Sequence, residues 1–157
     1  MTEQFSVPEV VERPAQHLAV VRQTVSFDAI PGLYDKAYPA IFGALARAGI
    51  TPAAAPMGVM HGQPGPDLDL SVAVPVAEPF GGDGEVSSET LPAGRAATLL
   101  VRGDYSLLAA AYEHLFGWIA EQGLTPTGLS WEQYLTEPAP GGDPAANETL
   151  IAAGLRD

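Results

Sequence analysis

The stretch Ser130-Trp131-Glu132-Gln133-Tyr134-Leu135-Thr136 sets one carboxylate among aromatic rings. On an extended chain, Glu132 and Tyr134 share one face while Trp131, Gln133 and Leu135 take the other. Two environments fit that alternation. An outward polar face leaves Glu132 in solvent, the usual place of a glutamate. A concave face puts the carboxylate amid aromatics, a setting able to hold a cation. Other chemistry is poorly served. His17, His61 and His114 lack metal-ligand spacing, and no HExxH, GxSxG or GxxxxGK[ST] motif occurs. Gly81-Gly82-Asp83-Gly84 has no strand-then-helix context and reads as a linker. The chain has no cysteine, which excludes disulfides, thiolate metal sites and a cysteine nucleophile. No cofactor and no metal are expected.

The charge balance narrows the partners. Nineteen acidic residues against seven Lys and Arg give a formal net charge of -12 in 157 residues. Such a surface repels phosphate backbones, so direct nucleic-acid binding is not expected, and it repels anionic headgroups too. It attracts small cations. No apolar run approaches the roughly 20 residues that span a bilayer, and Met1-Thr2-Glu3-Gln4-Phe5 has no signal-peptide character. A soluble, cytoplasmic protein is expected.

The elements that must position Glu132 repeat along the chain. Strand-like stretches at Val10–Glu12 and His17–Val25 precede a helical pattern over Leu33–Ala48. Leu33, Tyr34, Ala37, Tyr38, Ile41, Phe42 and Leu45 form its apolar face, Gly49 closes it, and Pro39 should kink it or delay its start. Strands around Pro56–His61 and Leu68–Val76 follow. The order then recurs: strands over Glu85–Leu91 and Ala96–Arg102, a helix over Ser106–Gln122, and strands over Gly128–Leu135 and Glu148–Ala152. The second helix carries Leu107, Leu108, Ala111, Tyr112, Leu115, Phe116 and Ile119 on one face. Ala48-Gly49-Ile50-Thr51-Pro52 matches Gln122-Gly123-Leu124-Thr125-Pro126 at an offset of 74, which also lays Tyr38 on Tyr112 and Phe42 on Phe116. Each half reads β-α-β-β, which predicts a single α+β domain over residues 1–157, with repeats at about 9–78 and 85–152, an antiparallel sheet and both helices on one face.

These features resemble the GyrI-like small-molecule-binding domain, which is also the effector-binding module of MerR- and AraC-type multidrug-responsive regulators. The resemblance rests on the duplicated β-α-β-β and on Ala48-Gly49-Ile50 closing the first helix. It rests also on Tyr112-Glu113-His114-Leu115-Phe116-Gly117-Trp118-Ile119-Ala120-Glu121-Gln122-Gly123. The closing signature is Trp131-Glu132-Gln133-Tyr134-Leu135, then Pro138, then Glu148-Thr149-Leu150-Ile151. The resemblance implies a curved sheet with a central ligand cleft between the helices, entered by lipophilic aromatic cations that stack on rings and face one acid. It assigns that acid to Glu132, with Tyr134 beside it and Trp118 as the helix aromatic. Tyr34, Tyr38, Tyr112 and Trp131 complete the candidate ligand-binding set. No DNA-binding helix-turn-helix accompanies the pattern, a departure from the regulators.

Three functions follow from the resemblance. A binding module for small hydrophobic aromatic or cationic compounds would act as a multidrug sensor or sequestering protein. An enzyme, reported for some stand-alone members as a hydrolase opening the cyclopropane of cyclopropanoid DNA-alkylating natural products, would use Glu132 as general base. A protein-interaction role such as gyrase inhibition would need a protein partner that the sequence does not reveal.

Overall fold

A computed structural model describes residues 5–62, 67–103, 107–136 and 147–156. Pro138 of the closing signature lies outside them. In chain order the elements are β1 (Glu9–Arg13), β2 (Gln16–Ser26), a 3-10 turn (Phe27–Ala29), α1 (Ile30–Ala48), β3 (Met57–His61), β4 (Asp67–Val76) and β5 (Ser87–Leu91). Then come β6 (Gly94–Arg102), α2 (Leu108–Glu121), β7 (Pro126–Tyr134) and β8 (Glu148–Leu155). The fold is α+β, with eight strands in antiparallel pairings and two helices among the described residues.

The chain forms two compact units, residues 14–93 and residues 1–13 with 94–157. The first unit orders its strands β3-β4-β2-β5. Along β4, Leu68, Leu70, Val72, Val74 and Val76 point to one face. There they pack with Ala19 and Val21 of β2 and with Leu33, Ala37, Ile41, Ala44 and Leu45 of α1. The second unit orders its strands β1-β6-β8-β7. Its core joins Ala97, Leu99 and Val101 of β6, Ile151, Ala153 and Leu155 of β8, and Ala111, Leu115 and Ile119 of α2. Each helix therefore covers one face of its own four strands. The repeat read along the chain starts at residue 9, yet β1 pairs with β6 in the second unit, while β5 pairs with β2 in the first.

Both helices stop the same way. Gly49 (φ 70°) and Gly123 (φ 71°) take the left-handed conformation that spares a Cβ clash. Ile50 N–H then donates to Leu45 O at 2.9 Å and Leu124 N–H to Ile119 O at 3.0 Å, closing the last turn. This is the physical content of the repeated Gly-apolar pair. Two local expectations need correction. Pro39 does not delay α1, which begins at Ile30 with a proline in its first turn, where no intrahelical N–H bond is lost. Pro39 itself is exposed, so the carbonyl it leaves unpaired can meet water. β8 runs on to Leu155, because Ala153 and Leu155 continue the inward alternation that an alanine-rich sequence disguises.

Candidate ligand-binding site

Glu132 lies opposite Ile151 in the β7–β8 ladder, and Tyr134 opposite Thr149. Ile151 belongs to the core beneath α2, so the alternation turns Glu132 and Tyr134 toward the helix. From α2, Tyr112 donates its hydroxyl hydrogen bond to Glu132 Oε2 at 2.7 Å. From the same strand, Tyr134 donates to Glu132 Oε1 at 2.8 Å. Each carboxylate oxygen thus accepts one phenol. No Lys, Arg or His pairs with Glu132 among the described residues. Burial pushes the carboxyl pKa above its ordinary 4.5, and the two tyrosine bonds, which favour the charged form, pull partly the other way. Of the two environments open to Glu132 in the sequence, the structure takes the half-buried one.

Phe116, one turn beyond Tyr112, stacks on it with ring centroids 6.4 Å apart and planes 21° apart. Read from periodicity alone, it belongs to the apolar core face; in fact it is 38% exposed. Residues 112 and 116 lie at one edge of the stripe whose centre is Ala111, Leu115 and Ile119, so the helix shows their rings to solvent. No signal in the sequence sets it apart, since its counterpart Phe42 reads onto the apolar face as well and is likewise exposed, at 42%.

The other candidates fall elsewhere. Trp131 pairs with Ala152 on the face away from Glu132, is 5% exposed, and lies 4.8 Å beneath the Arg13 guanidinium. Trp118 is six residues past Tyr112, about 120° around the helix, and packs against the second unit's core. Among the described residues, neither indole hydrogen-bonds the carboxylate, whose partners are Tyr112 and Tyr134. Tyr34 and Tyr38 belong to the first unit, where Tyr34 stacks on Tyr38 (5.5 Å) and Tyr38 on Phe42 (6.1 Å). Tyr38 donates to Met57 O at 3.1 Å. The offset of 74 that pairs Tyr38 with Tyr112 sends Glu132 to Gly58 and Tyr134 to Met60. The registers agree: Gly58 opposes Val72 under α1 as Glu132 opposes Ile151 under α2. The first unit thus repeats the rings without the acid, and its tyrosine turns to main chain instead.

Several other polar groups pair with one another. His61 Nε2 lies 3.0 Å from Ser71 Oγ, and Ser71 donates to Glu89 at 3.3 Å. Ser71 is fully buried, so no substrate reaches it. Asp83 of the glycine-rich stretch pairs with Arg47 at 2.8 Å. His114 is exposed beside Phe5. Among the described residues, no three His, Cys, Asp or Glu side chains gather to hold a metal, and no helix is long and apolar enough to cross a membrane.

A helix laid over antiparallel strands, duplicated, with a half-buried acid held by phenols, is the build of a small-molecule-binding domain. The chain belongs to the GyrI-like small-molecule-binding domain family, whose model matches residues 6–152. Among solved structures, the C-terminal domain of EcmrR is similar over 96% of this chain and 97% of its own, at 22% identity and a TM-score of 0.83. EcmrR in a cryo-EM complex with DNA matches 97% of this chain at 22% identity and a TM-score of 0.82; the chain spans 57% of that protein's length. SAV2435, solved bound to tetraphenylphosphonium, matches 96% of this chain and 94% of its own, at 13% identity and a TM-score of 0.66. These likenesses concern the fold. No curated protein sequence matches the chain.

Proposed function

We propose that this protein binds lipophilic aromatic cations at Glu132, Tyr112, Tyr134 and Phe116, as a cytoplasmic multidrug sensor or sequestering module. One observation carries the reading: a half-buried carboxylate accepts two phenols and has no basic partner among the described residues. Desolvating an ion costs several kcal/mol unless something compensates it, and two neutral donors compensate only part. A delocalised cation supplies the missing charge while losing little hydration of its own. Phe116 and Tyr112 offer stacked faces, each contributing on the order of 1 kcal/mol to a cation laid against them. The bound ligand of SAV2435 is a cation of this class. Ring faces and one charge impose few directional demands, which accords with broad specificity.

Titration with tetraphenylphosphonium tests the proposal. Glu132→Gln keeps the shape and removes the charge, and is expected to weaken binding by ~1–3 kcal/mol, the range for charge-assisted contacts. Equal affinity of Glu132→Gln and the parent protein would remove the assignment. A second reading, general-base hydrolysis of a cyclopropanoid natural product, draws on the same carboxyl, because burial lifts its proton affinity toward the range useful to a base. In that case Glu132→Gln abolishes product formation while a neutral planar substrate still binds.

A further inference from the structure

The acid at the site has two rivals for one vacancy of charge. Tyr112 from α2 and Tyr134 from β7 each give one hydrogen bond to its oxygens. β8 presents Ile151 and Thr149 across the ladder, neither of which carries charge. Among the described residues, the other ionisable groups of α2 and β8 look away. Glu113 and His114 of α2 are exposed, and Glu148 pairs with Arg102 on the other face of the strands. The anion thus has hydrogen-bond donors but, among the described residues, no counter-charge from its own unit. Two things can supply one: a ligand cation or a proton.

We infer that Glu132 exchanges one for the other, so that binding a permanent cation expels a proton and acidification expels the cation. The inference rests on the proposed reading of the site and adds its regulation. The direction follows from linkage. A bound cation favours the ionised carboxylate and lowers its proton affinity, so protonation must weaken cation binding by the same factor. Burial raises the carboxyl above 4.5, so the competition sets in at a higher pH than titration of an ordinary surface glutamate. Above the carboxyl's pKa, affinity is constant. Below it, affinity falls by up to about tenfold for each pH unit and levels off at the weaker affinity of the protonated form.

Tetraphenylphosphonium is the probe, because it cannot titrate. Calorimetric titrations of the intact protein run from about pH 8 to about pH 4, below the ordinary carboxyl range, at each pH in two buffers of different ionisation enthalpy. The expected result is a plateau at high pH, then a decline toward tenfold per unit, with buffer-dependent heat reporting proton release. High salt screens the acidic surface but leaves a local competition in place. The midpoint should therefore persist in about 0.5 M salt. Tyr112→Phe and Tyr134→Phe each remove a bond to the charged form, so each should move the midpoint to higher pH; a general surface effect would leave it fixed. Glu132→Gln should bind weakly and without pH dependence, and the buffer experiment on the unaltered protein decides the matter should that variant not fold. Cation binding at constant affinity, without buffer-dependent heat, overturns the inference and leaves the binding site standing. Absence of binding at pH 8 by folded protein overturns the site itself, and the inference with it.

Discussion

A glutamate whose pKa is raised by burial is a burden to the folded protein, and the sign of that burden can be measured. The native state holds its proton more tightly than the unfolded chain does. Stability from this group is therefore fully present below the unfolded value near 4.5 and is lost as pH rises through the folded pKa. Above the folded pKa the penalty is complete. Glu132→Gln should then raise the melting temperature, by a free energy on the order of 1 kcal/mol, and the advantage should vanish in acid. Thermal melts of both proteins from acid to neutral pH provide the check, and a gain that persists in acid would point to packing instead. The alternation around Glu132 was legible in the sequence and placed Tyr134 beside it. Its second donor was not, because nothing local says which residue of a helix 20 positions earlier reaches a given strand. Tyr112 stood in the candidate set through the family resemblance, and its bond to the carboxylate became visible only when β7 was laid against β8 and α2 across them.

Among the elements, α2 divides its work between centre and edge of one apolar stripe. Leu115 is fully buried, whereas Phe116, its neighbour in sequence, is 38% exposed. Leu115→Ala should cost about 2–5 kcal/mol of stability, as a cavity in a packed core does. Phe116→Ala should leave the melting temperature nearly unchanged while weakening tetraphenylphosphonium binding several-fold, about 1 kcal/mol for one ring face. Paired chemical denaturation and ligand titration separate the two effects. The helices, their glycine stops and most strands were readable because apolar spacing and left-handed glycines leave a local mark. The edge of a helical stripe is harder to read, since core and ligand-facing aromatics satisfy the same three- and four-residue spacing. Trp118 shows the converse: a large aromatic in a matching helix, it serves the core on the flank away from Tyr112.

For the molecule as a whole, the formal charge of -12 acts at longer range than any single contact. A lipophilic cation is drawn toward such a surface, so its association rate should fall as salt rises from low to physiological strength. Dissociation should change much less, because the half-buried carboxylate is poorly screened. Stopped-flow dye binding across a salt series resolves the two rates, and a salt effect confined to dissociation would contradict this division. Composition alone gives that expectation. It carried no trace of the difference between the halves. Gly58 and Glu132 are recognisable as counterparts only through strand register, since a glycine in β3 and a glutamate in β7 have nothing in common as residues.

The pairing of β1 with β6 also imposes an order of events on biosynthesis. Residues 14–93 form a continuous stretch that contains every strand and the helix of its unit. This half can complete itself as soon as it leaves the ribosome. The other half cannot, because its edge strand is made first and the strand that receives it is made about 80 residues later. At about 5–20 residues per second, β1 waits several seconds, its main-chain amides unpaired, while the whole intervening unit is translated. Its sequence, Glu9-Val10-Val11-Glu12-Arg13, suits that interval. Charged residues at positions 9, 12 and 13 bracket two valines and discourage a nascent strand from pairing with the wrong neighbour.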